Sequence, residues 1–148
     1  MNEVYEFTKV NTLSADPVRH TVSFITDSGE KCWIQDEGLG KQNIQFVKRA
    51  VAEGKVIFVA CDPTTGALNF AAPFNKDHIN SLQLVQEPKP GLKVSLVLRP
   101  SFLFLAQSNP RFEQLQKILY NAKEMNQIVW VGTFPGDSEI LDVRLPAP

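Results

Sequence analysis

Thr21-Val22-Ser23-Phe24-Ile25 and Lys93-Val94-Ser95-Leu96-Val97 are one kind of segment written twice, 72 positions apart. The same step lays Val56-Ile57-Phe58-Val59-Ala60 on Ile128-Val129-Trp130-Val131-Gly132, and nothing in between needs a gap. It also sets Gln35 on Gln107, Gln42 on Gln114, Ala50 on Ala122 and Pro63 on Pro135. One added residue then brings Leu68-Asn69-Phe70-Ala71-Ala72-Pro73 onto Leu141-Asp142-Val143-Arg144-Leu145-Pro146. Self-similarity at a fixed period means two copies of one structural unit.

The 148 residues therefore divide into units 1–74 and 75–148. Units this small bury little apolar surface alone, so the two are expected to pack closely, and against a second chain as well. The join, residues 75–90, has no Gly/Ser tract and contains a strand-like run from Ile79 to Val85, which makes it structured rather than a tether.

Hydrophobic residues at 43% and charged ones at 21% describe a folded chain and exclude disorder as its overall state. Fifteen basic and 16 acidic residues leave a net charge of −1, which lacks the basic excess of a nucleic-acid-gripping protein. No apolar run approaches the ~18 residues of a membrane span. The acidic start Met1-Asn2-Glu3-Val4-Tyr5-Glu6 is unlike a signal peptide, and the expectation is a cytoplasmic protein without a membrane segment.

Within each copy a first strand (Val4 to Lys9; Ile79 to Val85) precedes a turn with Asp16-Pro17 or Glu87-Pro88, where proline cannot continue a ladder. A second strand (Val18 to Thr26; Leu92 to Leu98) meets a tight connection at Asp27-Ser28-Gly29 or Arg99-Pro100-Ser101, and a third returns (Lys31 to Gln35; Phe102 to Gln107). A helix follows. In the second copy Asn109 is placed to cap it and Pro110 fits its first position, with Phe112, Leu115, Ile118, Leu119 and Ala122 at helical spacing. In the first copy Ile44, Val47, Ala50 and Val51 repeat the pattern behind Gly38-Leu39-Gly40. Gly54 and Asn126, residue types that readily turn left-handed, end the two helices. Strands four and five close each copy around Asp62-Pro63-Thr64-Thr65-Gly66 and Pro135-Gly136-Asp137-Ser138.

The order β-β-β-α-β-β resembles the OB-fold, a five-stranded, partly open Greek-key barrel. The fold class expected is α+β, mostly β: two OB-like units, or alternatively one antiparallel sheet shared by both copies with the helices on one face. The resemblance implies binding through the face of strands two and three and the flanking loops, with rings that stack on bases or sugars. On that face the candidates are Lys31 and Trp33 in the first copy and Arg99, Phe102 and Phe134 in the second. Trp33 and Trp130 can equally be core or interface filling.

In the second copy Leu103, Phe104 and Leu105, and Ile128 to Val131, are apolar on both faces, so both faces are expected to be covered. Leu103, Leu105, Ile128 and Trp130 are accordingly the expected interface of a homodimer, which suits a pseudo-twofold unit.

Catalytic patterns fall short. Gly38-Leu39-Gly40-Lys41 lacks the earlier glycine and the following Ser or Thr of a phosphate loop. Gly136-Asp137-Ser138-Glu139 resembles the start of an esterase motif, but no histidine follows Ser138. His20 and His78 have no zinc-ligand spacing, and Asp36, Glu37 and Asp62 lack the alternation of a calcium loop, so no cofactor or metal is expected. Cys32 and Cys61, matched by Phe104 and Thr133, are read as two reduced apolar thiols, with a bridge as the alternative. These readings combine into a non-enzymatic binding or scaffolding protein, a homodimer whose partner is another protein. The alternative is single-stranded nucleic-acid or oligosaccharide binding by Trp33 and Lys31 with Arg19 or Lys9. An enzyme would need Asp36 or Glu37 in a pocket near Cys61 or His20.

Overall fold

The computed structural model describes residues 3–146 and divides the chain into two compact units, one up to Pro73 and one from Phe74 on. The fold is α+β and mostly β. In the first unit β1 (Val4–Lys9), β2 (Ser14–Asp16), β3 (Thr21–Ile25) and β4 (Lys31–Gln35) precede α1 (Leu39–Glu53), then β5 (Val56–Cys61) and β6 (Leu68–Ala72). In the second, β7 (Asn75–Val85), β8 (Gly91–Leu96) and β9 (Leu103–Ala106) precede α2 (Phe112–Glu124), β10 (Ile128–Thr133) and β11 (Ile140–Arg144).

All the ladders are antiparallel. The second unit is one five-stranded sheet in the order β11-β10-β7-β8-β9, because β7 is long enough to pair β10 with its first half and β8 with its second. The first unit has the same connectivity cut in two, β1-β5-β6 and β2-β3-β4. Here residues 10–13 interrupt the strand that β7 runs through with only a register shift between Ile79 and Ser81. In each unit one parallel bridge, Trp33 to Ala67 or Phe104 to Glu139, brings the third strand beside the approach to the fifth. That is OB-like connectivity, but a single bridge is not a ladder, and no barrel closes. Nor do the copies share one sheet.

Strand pairing corrects the repeat. Ser23 faces Trp33 as Lys93 faces Phe104, and the amides of Trp33 and Phe104 donate to the carbonyls of Gly66 and Ser138. Cys61 faces Leu68 as Thr133 faces Ile140, and Thr8 faces Ile57 as Asp77 faces Val129. The spacing is thus 69 residues for the first strand (Thr8 to Asp77), 70 for the second (Ser23 to Lys93) and 71 for the third (Trp33 to Phe104). From the helix on it is 72 (Cys61 to Thr133, Leu68 to Ile140), with no added residue before the fifth strand. Each early connection of the second unit is one residue longer. Cys32 therefore corresponds to Leu103, not Phe104.

One core fills each unit. Val22, Phe24, Ile34, Ile44, Val47 and Ile57 pack together in the first, and Leu92, Val94, Leu103, Leu105, Leu115 and Leu119 in the second. Leu103 and Leu105 are wholly buried there, which removes them as interface residues. Ile128 is exposed, while Trp130 is half-buried against Phe74, beneath the side chains of Lys76 and Arg144. The fourth strand buried on both faces is instead β5, from Ile57 to Cys61, where Phe58 stacks on Tyr5 and meets Phe7 and Phe70.

Helix α2 starts at Phe112, later than Asn109 and Pro110 suggest, because Asn109 Oδ1 accepts the Arg111 amide and holds a turn before the helix. Gly54 closes α1 in the left-handed conformation, and Asn126 takes the same conformation just past α2. Gly40 is explained by packing: a Cβ there would collide with the backbone oxygen of Gln35. Among the described residues no helix is long and apolar enough to cross a membrane.

Candidate binding groove

The face of β8 and β9 in the second unit carries a groove of about 400 Å³. Its floor is set by strand alternation. Leu103 and Leu105 point into the core, so Phe102 and Phe104 stand on the opposite face, and Lys93 faces Phe104 across the ladder. Gly91, diagonal to Phe104, leaves room for that ring, since a Cβ there would strike the ring edge. One wall is the connection between β7 and β8, with Pro88 and Lys89; the other is the connection between β10 and β11, with Asp137 and Ser138.

Two ammonium groups lie over the rings. Lys93 Nζ is 3.9 Å from the centroid of Phe102, and Lys89 Nζ is 5.4 Å from that of Phe104. Lys89 is also paired with Glu139 at 2.6 Å, which pins one wall to the other. Both partners are half open to water, so this contact orients more than it stabilises. Asp137 is spent locally, accepting the amides of Ser138 and Glu139 through Oδ1. Lys93 is thus the cation best placed for a ligand.

The hairpin loop leading into β9 is tied at its base. The Val97 amide donates to His78 O and the Leu98 amide to Asp77 Oδ2 at 2.6 Å. The matching first-unit amide, that of Asp27, donates to Thr8 Oγ1 at 2.8 Å, so Thr8 and Asp77 are equivalent buried acceptors. Beyond its tether the second loop exposes Val97 (58%), Leu98 (82%) and Phe102 (50%). The first unit has Thr26-Asp27-Ser28-Gly29-Glu30 in that loop.

Of the sequence candidates, Phe102 lines the groove. Phe134 is exposed in the β10–β11 connection. Arg99 is half-buried in the hairpin loop, with Nε buried and without a hydrogen-bond partner. Lys31 and Trp33 occupy the positions of Phe102 and Phe104, but Trp33 is half-buried and its indole N–H donates to Thr65 O at 2.9 Å, fastening it to the opposite loop. Among the described residues the matching ring of the first unit is therefore held by its own loop rather than presented to a ligand. Arg19 and Lys9 are exposed, as are Asp36 and Glu37. Asp62 accepts the Thr65 and Thr64 amides, which hold its carboxyl below the usual range.

Lys93, Lys89 and Phe104 are not among the ligand-binding residues expected from the sequence, where Phe104 counts only as an apolar strand position. The 72-residue step puts Ser95 rather than Lys93 opposite Ser23, and cross-strand pairing carries the missing signal. The reduced-thiol reading is also corrected: Cys32 and Cys61 form a disulfide. β4 and β5 belong to different sheets, and nothing local in the sequence says that they approach each other. The cavity beside Cys61, about 250 Å³, is lined by Glu6, Glu30 and Asp62 rather than by Asp36, Glu37 or His20.

Comparison with known proteins adds no relative: no family model, no curated protein and no solved structure matches the chain.

Proposed function

We propose that the chain is a non-enzymatic binding protein that grips a segment of another polypeptide on the β8–β9 face of its second unit. The observation that carries this reading is the hairpin loop of Val97, Leu98 and Phe102, three exposed apolar side chains running into a ring-floored groove. Exposed apolar clusters beside aromatic pockets are what hot-spot contacts use. The homodimer belongs to the same proposal on a narrower surface, with Ile128 and this loop in place of the buried Leu103 and Leu105. So does a cytoplasmic location.

The test is a photo-crosslinking residue at position 102 in the full chain, expressed in its own cells. A covalent adduct with a polypeptide, lost on Leu98→Ser, is expected; the same group at exposed Tyr120 gives none. Light scattering on the purified protein tells whether that polypeptide is a second copy. Absence of any adduct at position 102 counts against the reading.

A second reading, single-stranded nucleic acid or oligosaccharide, is favoured by one specific feature, the Lys93 ammonium over Phe102. Stacking on Phe102 with a phosphate on Lys93 would make affinity fall steeply with salt. A nucleic-acid adduct at position 102 would replace the first reading with this one.

A further inference from the structure

We propose that Cys32–Cys61 is an exchangeable clasp, opened by a dithiol under native conditions, that holds the two half-sheets of the first unit together. The disulfide joins β4 to β5, strands of different sheets. In the second unit the unbroken β7 joins the corresponding halves by a continuous ladder, and Leu103 and Thr133 stand where the cysteines would be. In the first unit the ladder is cut at residues 10–13, and the covalent link stands in for it.

Both cysteines line the 250 Å³ cavity, which gives a dithiol its approach. Both are buried, Cys61 less deeply at 7% exposed against 1% for Cys32, so attack is assigned to Cys61. The thiolate of a dithiol bonds to Cys61 Sγ, the Cys61–Cys32 bond breaks, and its electron pair leaves on Cys32 Sγ, which takes a proton. The second thiol of the reductant, deprotonated, then attacks its own mixed-disulfide sulfur and releases Cys61 as the other thiol. Two electrons and two protons pass to the protein, and the reductant leaves as a cyclic disulfide.

The clasp has a built-in reporter. Trp33 follows Cys32, and its amide and indole donate to Gly66 O and Thr65 O in the loop that follows Cys61. Opening the disulfide leaves these two bonds, the hydrogen bonds of Glu6, Thr8 and Lys9 to the β3–β4 hairpin at the far end of the seam, and side-chain packing. Trp33, beside the opened bridge, loosens.

The experiment treats the folded full-length chain with dithiothreitol, without denaturant, in a Trp130→Phe background where Trp33 is the sole tryptophan. Expected are release of two thiols per chain, a mixed disulfide on Cys61 when a monothiol is used, a red shift of Trp33 emission, and at least tenfold faster exchange of the Trp33 amide. The Cys32→Ser/Cys61→Ser chain should show the red-shifted emission from the start and no response to reductant. If that double variant does not fold, the wild-type titration decides alone. Thiols that are free before reductant, or that appear only in guanidinium, overturn the proposal, and so does release without change at Trp33.

Discussion

Asp142 occupies the place of Phe70, a buried strand position, and its carboxylate meets Arg111 Nη1 at 2.8 Å and the Val143 amide at 2.9 Å. Burial wins over these partners and pushes its carboxyl above the usual range. The folded state then binds more protons than the unfolded one between about pH 4 and the raised value, so stability contributed here falls as pH rises through that window. Asp142→Asn removes this titration. The wild-type minus variant stability, from urea melts at several pH values, should slope downward with pH; an upward slope would mean that the Arg111 pair dominates. Gly91→Ala is the second test at this scale: its Cβ would lie 2.5 Å from Leu105 O and against the Phe104 ring. A loss of about 1–3 kcal/mol is expected in denaturant melts followed by Trp130, with weaker ligand capture on a tilted Phe104. Single residues were partly legible. Gly54 and Asn126 announced their left-handed turns, because that preference is local, whereas the need for Gly91 comes from a ring on another strand.

Elements were read well in type and order except for β2, whose Ser14–Asp16 reads as part of the turn at Asp16-Pro17, and less well in register. Helix periodicity put Leu115, Leu119 and Ala122 on the buried face of α2, where they lie fully covered. Leu119→Ala should cost about 2–5 kcal/mol of the second unit's stability, measured by urea melts followed at Trp130, because the surrounding leucines cannot close the cavity. A cost under about 1 kcal/mol would mean that α2 is not the lid of that core. The strand offsets of 69, 70 and 71 were not visible, because a one-residue loop extension changes no pattern within a strand. The error had a functional price: it paired Cys32 with Phe104 and left Lys93 unremarked. Alternating strands tolerate slips on paper that the pleat forbids in three dimensions.

The duplication was legible at the scale of the whole molecule, and the asymmetry between its copies was not. The second copy keeps an unbroken first strand and exposes an apolar loop and groove; the first has a split strand, a disulfide and a tryptophan turned onto its own loop. Two compact units with a core each lead us to expect two unfolding transitions. The bridged cysteines are 29 residues apart, and closing a loop of that span stabilises by roughly 3–4 kcal/mol through the unfolded chain. Each unit carries one tryptophan, Trp33 or Trp130, so Trp130→Phe and Trp33→Phe chains report the two transitions separately. With reductant, the Trp33-reported urea transition should move to lower denaturant by that free energy while the Trp130-reported one stays in place. Equal shifts of both transitions would show that the copies unfold as one body. An unmoved Trp33 transition, with thiols titrating as free, would show that the half-sheets hold without their covalent link.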